Sequence, residues 1–540
     1  MRASGIDFSL ALVLFAASVA NAAPPAAPQV TLGADLKVLR FDWEPVAGAT
    51  FYQLRISPTG SSVYRPLGET IPASTTQVEV PIAVHLQDWV RTRYILAACN
   101  SDGCTNSAAL NPRSLMLDAI GYLKASNSER EDAFGQGMAL SADGYTLAVS
   151  AWFESSNASG VNGDQTNNLS QHSGAVYVFR RRGNTWHQEA YLKAGTNQPA
   201  QSFGSDFFLN FDAMALSADG SMLAAAASRE DANGVEDAGA VYVFRRIQNV
   251  WSLMTKLHAP QPLAQDFFGT SVDMSHDGRT LKVTSVLPLD DLGNPEMSTH
   301  LFVRPANTWQ FCKTLAPLYP GDLCQSSRLS GDGQTLVFSC GSILERHRLV
   351  TMKRSGNAWK YASELQRSYF LYLRRQPIAL NRQASVMALS EGGTGLVGIY
   401  RWNGANWSHE AELDPPPIAN PYANFGYELA LSDSGQLLAI GNLDARQAGA
   451  GISPSLTSGT AILGAVFLYQ RKDDTGTWAL RNVVKSPRPG FKDWFGLSVA
   501  LSASGRTLAV GAPGENSNAT GIDGERENEH ALNSGAAYLY

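Results

Sequence analysis

Two stretches of this chain are near copies of each other and rich in oxygen-bearing side chains. Glu154-Ser155-Ser156-Asn157-Ala158-Ser159-Gly160 parallels Glu515-Asn516-Ser517-Asn518-Ala519-Thr520-Gly521. Asp164 follows the first, and Asp523, Glu525, Glu527 and Glu529 follow the second. Carboxylates and amides at this density suit a cation or a polar ligand; the plainer alternative is a pair of solvated loops held by their own hydrogen bonds. A second recurrent signal is Ser-Ala-Asp-Gly and its variants, with Asp143, Asp219, Asp277 and Asp332. Each copy offers one carboxylate, whereas calcium takes roughly six to eight oxygens, several of them from carboxylates. These tetrapeptides therefore read as hairpin turns, in which Asp bonds the backbone and Gly supplies a positive φ. No cofactor and no metal site is expected from them.

Cys99 and Cys104 flank Asn100-Ser101-Asp102-Gly103, and Cys324 and Cys340 lie symmetrically about the turn at Asp332-Gly333. Both pairs face each other across a hairpin, where a disulfide closes easily. Cys312 is left over, either to compete with Cys340 for Cys324 or to stay reduced and buried. Zinc is the weaker reading, since no CxxC pair or clustered His accompanies the cysteines. Serine-hydrolase GxSxG, HExxH and P-loop patterns are absent, so no catalytic residue is assigned. The 540 residues carry a net charge of −6, with 44% hydrophobic and 17% charged side chains. That is a globular composition without a basic footprint for nucleic acid or a polybasic membrane patch.

The elements that must position these residues are repeats. Phe134-Gly135 leads to Leu140-Ser141-Ala142-Asp143-Gly144, Phe268-Gly269 to Met274-Ser275-His276-Asp277-Gly278, and Phe495-Gly496 to Leu501-Ser502-Ala503-Ser504-Gly505. Related copies surround Phe425-Gly426, Leu216–Gly220 and Leu329–Gly333, and an eroded one runs through Ala379–Ala384, making seven. Each continues into an apolar strand, a loop of variable length, and a stretch such as Gly174-Ala175-Val176-Tyr177-Val178-Phe179. Trp186, Trp251, Trp309, Trp359, Trp407 and Trp478 each precede an aliphatic residue by six positions. Four short strands repeated seven times predict a seven-bladed β-propeller over residues 113–540, in an all-β chain. The last copy lacks its tryptophan strand. Ile120-Gly121-Tyr122-Leu123-Lys124-Ala125 resembles Ala190-Tyr191-Leu192-Lys193-Ala194 and is expected, within 117–125, to complete the last blade.

With its Phe-Gly openings and Gly-Ala strands, the chain over 117–540 resembles the FG-GAP repeats of the integrin α propeller and its bacterial relatives. The resemblance implies a ligand-binding and adhesion platform, not an enzyme. It would also imply calcium loops with several Asp or Asn side chains within about nine residues, a pattern these single-carboxylate turns do not meet. Residues 23–112 resemble a fibronectin type III domain, on Trp43 before Pro45 and on Tyr94 in the Arg93–Asn100 strand; such domains are spacers or weak binding modules. Residues 1–22 read as a secretory signal, with Arg2, the apolar Phe8–Ala20 and the cleavage site Ala20-Asn21-Ala22. No later stretch is long and apolar enough for a transmembrane helix. Export makes disulfides the better reading of the cysteines.

Length variation concentrates on one face, in the loops 151–173, 228–238, 286–299, 442–463 and 512–534. Insertions confined to one face mark a binding face. The expected function is therefore an exported, periplasmic or extracellular interaction protein that binds a protein or glycan ligand. Glu154, Asp164, Glu515, Asp523 and Glu525 form its candidate patch where the first and last blades meet. A polysaccharide-active lyase or glycosidase, or a structural envelope protein, are the alternatives. If the patch holds a cation, titration with calcium releases or absorbs heat and raises the melting temperature; no heat and no shift ends that reading.

Overall fold

In a computed structural model of the chain, residues 23–540 are described apart from 197, 206–211, 288–295, 316–322, 342–346, 357, 367–376, 392–394, 417–423, 447, 455, 457–458 and 473–474. The expected signal segment lies outside the described residues. The chain is all-β, with 3-10 turns at Val84–Leu86 and Arg113–Leu115 as its helical elements among the described residues. It forms two compact units. One comprises the chain before Ala34 with Arg40–Val78 and Asp88–Pro112; the other comprises Ala34–Leu39, Glu79–Gln87 and Arg113–Tyr540.

In the first unit, the strands Phe51–Ser57, Arg65–Pro66, Ile71–Pro72, Arg93–Asn100 and Gly103–Asn106 form one sheet. Its core is aromatic. Trp43 packs edge-on against Tyr52 and Phe41 against Tyr94, each with ring centroids 5.3 Å apart. The Tyr52 hydroxyl accepts the Val46 N–H at 2.7 Å. Cys99 and Cys104 are joined across the Asn100–Gly103 hairpin.

In the second unit, among the described residues, seven antiparallel sheets follow one another along the chain. The first is built of Phe134–Leu140, Thr146–Ala151, Ala175–Arg182 and Thr185–Leu192. The next five repeat this order over 214–257, 271–315, 323–366, 378–413 and 429–484, the last with an added strand Ile452–Ser453. The seventh joins Val499–Leu501, Leu508–Ala512 and Ala536–Leu539 to Gly121–Leu123, with Ala537 opposite Leu123 and Tyr538 opposite Tyr122. A second disulfide links Cys324 and Cys340, opposite residues on neighbouring strands, and Cys312 is free. One expectation needs correcting. Residues 286–299 are not all loop, because the flanking strands Thr280–Leu287 and Glu296–Val303 run further and pair Val286 with Met297.

The repeated residues explain the repeated geometry. Gly135 adopts φ +95°, and a Cβ there would lie 2.3 Å from the Ala536 carbonyl oxygen, so the Phe-Gly opening lets one sheet's first strand approach its neighbour's third. The phenylalanine fills the space beside it; Phe134, Phe203, Phe268 and Phe495 are all fully buried. At the other end of the strand, Asp143 accepts from Ser141 Oγ and from the Tyr145 N–H at 2.9 Å, and the Ser141 hydroxyl accepts the Thr146 N–H. Asp219, Asp277 and Asp332 are used in the same way. These carboxylates are spent on turns, as the sequence suggests.

Tryptophans of the outer strands take part in latches between sheets. Glu189, on the outer strand of the first sheet, accepts from Arg246 Nε at 2.6 Å and Trp251 Nε1 at 3.0 Å, both on the second. Glu410 holds Arg471 and Trp478 in the same way at 2.8 and 3.0 Å. Burial works to raise the Glu189 carboxyl, but the hydrogen bonds from Arg246, Arg182 and Trp251 win and hold it at about 2. Its stabilisation is complete above about pH 4.5 and is lost as pH falls toward 2. Glu189→Ala should therefore cost roughly 2–3 kcal/mol at pH 7, since it strands a guanidinium and an indole N–H. The deficit should shrink on acidification, read by urea unfolding at the two pH values.

Candidate functional site

The two copied loops fold alike, but their leading glutamates face inward. Glu154 is 1% exposed and its carboxylate accepts from Lys193 Nζ at 2.6 Å and from the Tyr191 hydroxyl at 2.8 Å. Glu515 accepts from Lys124 Nζ at 2.8 Å and from the Tyr122 hydroxyl at 3.0 Å. Each lysine also donates to a loop serine, Ser173 or Ser534, at 2.7 Å. A lysine just past the end of a sheet's fourth strand thus braces the loop that leaves its second strand. Lys256 and Glu230 repeat the pairing in the second sheet. A charge taken out of water needs such a partner and further hydrogen bonds, so these glutamates are structural braces and not an exposed acidic patch.

The remaining residues of the expected patch divide similarly. The Asp523 carboxylate accepts the Tyr122 N–H at 3.0 Å, as the Asn162 amide oxygen accepts the Tyr191 N–H at 2.9 Å. Both residues sit at positive φ, 50° and 55°, where Asn and Asp are tolerated. Asp164 is exposed and closes a local turn onto Thr166. Glu525 is exposed. Among the described residues, no cluster of three or more His, Cys, Asp or Glu side chains is placed to hold a metal ion.

What the loops do enclose is an aromatic cavity of about 530 Å³. Trp152, Phe153 and His172 line it from the long loop of the first sheet, Tyr427 from the sixth sheet and Trp494 from the opening of the seventh. Phe153 is in contact with both neighbours, 4.0 Å from Trp152 and 4.6 Å from His172 between ring centroids. Leu443, Leu497 and Pro513 add apolar wall; Glu131, Gln136 and Asn533 supply polar groups. The backbone places these residues by a repeated device. The residue just before each Phe-Gly takes positive φ, as at Ala133 and Trp494 (55° and 54°), and this turns Trp494 outward to 38% exposure while Phe495 is buried.

Next in the chain to the lining residues Glu131 and Trp494 are two equivalent buried carboxyls. Asp132 accepts the Glu129 N–H and Asp493 the Gly490 N–H, both at 2.7 Å. Burial pushes each up to about 7, with Glu154 and Glu129 adding to it at Asp132 and Glu515 and Glu529 at Asp493. Sequence reasoning passed over the cavity, because Trp152 and Trp494 fall outside the Trp-to-aliphatic spacing. Their standing apart from it was the available signal.

No known protein family matches this chain, and no curated protein does. Solved structures align with it at low identity. The β-propeller domain of Cps50 (Swd1) from Myceliophteria thermophila aligns with a TM-score of 0.45 at 9% identity, covering 78% of this chain and 99% of that one. The periplasmic gluconolactonase PpgL of Pseudomonas aeruginosa aligns at 0.41 and 13% identity, covering 82% and 98%.

The Asp493 carboxyl sets a pH dependence. Folded, it keeps its proton up to about pH 7; unfolded, only up to about pH 4. Folding therefore takes up a proton in that window, and this group's contribution falls as pH rises through it. Asp493→Asn should leave the unfolding free energy near that of the parent at pH 5 and raise it at pH 8, by an amount on the order of 2 kcal/mol, read by urea unfolding. Equal effects at both pH values would refute the assignment.

Proposed function

We propose that this protein is an exported, non-catalytic binding protein. Its second unit reads as a seven-bladed, FG-GAP-like β-propeller completed by the strand Gly121–Leu123, and residues 23–112 as a fibronectin type III-like spacer. The aromatic cavity at the mouth of the long loops is its ligand site. The observation that carries this reading is the convergence of Trp152, Tyr427 and Trp494 from three different sheets on one cavity. The repeat requires positive φ at this position but not a tryptophan, since Ala133, Ser202 and Asn424 stand there in other sheets; a half-exposed tryptophan beside an open hollow suits a binding site better than a packing role. Two disulfides, and the absence of any long apolar helix among the described residues, are compatible with export. Among the described residues, the cavity's one lining carboxylate is Glu131. Glycoside hydrolysis calls for two, so binding without turnover is the better fit.

Trp494→Ala and Trp152→Ala test this. Each should lower capture of ligand in pull-down from the native envelope and on a glycan array by about tenfold or more, with the fold intact by circular dichroism. Retention unchanged in both variants would move the binding site elsewhere, and release of products from an arrayed glycan would favour an enzyme.

A further inference from the structure

We infer that the aromatic cavity takes a compact organic cation, an alkylated ammonium group with no anionic neighbour of its own. The inference rests on the cavity being the ligand site and adds the class of ligand. Three features of the geometry lead to it. First, the aromatic side chains come from three sheets and surround a hollow, where a sugar would ask for one or two flat platforms with a ring of hydrogen-bonding partners. An ammonium ion is attracted to several ring faces at once, and alkyl groups on it fit the apolar wall of Leu443, Leu497 and Pro513. Second, a carboxylate faces the hollow. Glu131 lines the cavity, with the exposed Arg130 3.2 Å from it. Of the nearby cations, Lys124 bonds Glu515, Arg488 faces Glu527 and Glu529, and the exposed Lys492 lies over the Phe491 ring, 5.4 Å from its centroid. Third, among the described residues that line the cavity there is no lysine or arginine. A phosphate or carboxylate on the ligand would find no partner there, which sets aside zwitterions such as phosphocholine.

Small-molecule titration tests this directly on the whole protein. Tetramethylammonium and choline should bind and perturb the tryptophan fluorescence. The neutral isostere 3,3-dimethyl-1-butanol, identical to choline in shape but uncharged, should bind at least about tenfold more weakly. Phosphocholine should also bind more weakly than choline. Trp494→Ala should abolish choline binding, Trp494→Phe should retain most of it, and Glu131→Gln should weaken it several-fold. Because Glu131 is an exposed side chain, that variant keeps the test open if Trp494→Ala does not fold. Equal binding of choline and its isostere overturns the cation while leaving an apolar ligand site standing. Binding of neutral sugars in place of the cations, lost in Trp494→Ala, likewise overturns the cation and upholds the site. Cation binding that neither Trp494 nor Glu131 substitution alters overturns both.

Discussion

The second unit depends on one pairing: Gly121–Leu123 lies antiparallel to Ala536–Leu539 and supplies the fourth strand of the last sheet. Without it, that sheet would present an unpaired row of backbone groups, and its apolar residues would lose cover. The pairing is secured by more than its few backbone bonds. Lys124, next in the chain, is fully buried and reaches Glu515, Ser534 and the Ser517 carbonyl oxygen, all in the loop that precedes the last strand. Leu36 packs beneath Gly121, where a Cβ would come within 2.5 Å of it, and Lys37 donates to the Arg506 and Tyr540 carbonyls. A buried ion pair is not in itself a strong source of stability, but one that loses a partner is costly. The brace therefore specifies this register over slipped alternatives.

The same economy explains the loop face. Long polar loops near a sheet edge need their hydrogen bonds satisfied internally, and the glutamate, lysine and serine set does this at the base of each copied loop. With the polar groups gathered at the base, the rim is left to residues that the fold does not require. The aromatic side chains there stand between loops whose bases are tied by these buried hydrogen bonds. The carboxyls of Asp132 and Asp493 link the two levels, each capping the turn that presents a rim residue.

Much of this was legible from the residues alone. The Phe-Gly pairs, the Ser-Ala-Asp-Gly turns and the six-residue tryptophan spacing fall where sheets begin, turn and end, and the closing strand and both disulfides were readable from local pattern. The eroded copy near Ala379 still forms its sheet, because Asn381 takes over the turn role of serine, its side-chain oxygen accepting the Ser385 and Val386 N–H groups. Orientation was not legible. Glu154 and Glu515 look like members of a solvated acidic run, and only the fold brings Lys193 and Lys124 to them. The cavity was hidden for the same reason, since Trp152, Tyr427 and Trp494 are neighbours in space and far apart in the chain.

The brace between Lys124 and Glu515 spans 391 positions of sequence. A ribosome therefore delivers the lysine long before its partner, and the nascent chain must carry an ammonium group and an open strand edge through the synthesis of six further sheets. Contacts this distant are slow to form and leave the chain open to wrong pairings while it waits. The last sheet cannot lock until its final strand has emerged, so the unit completes its fold only at the end of synthesis.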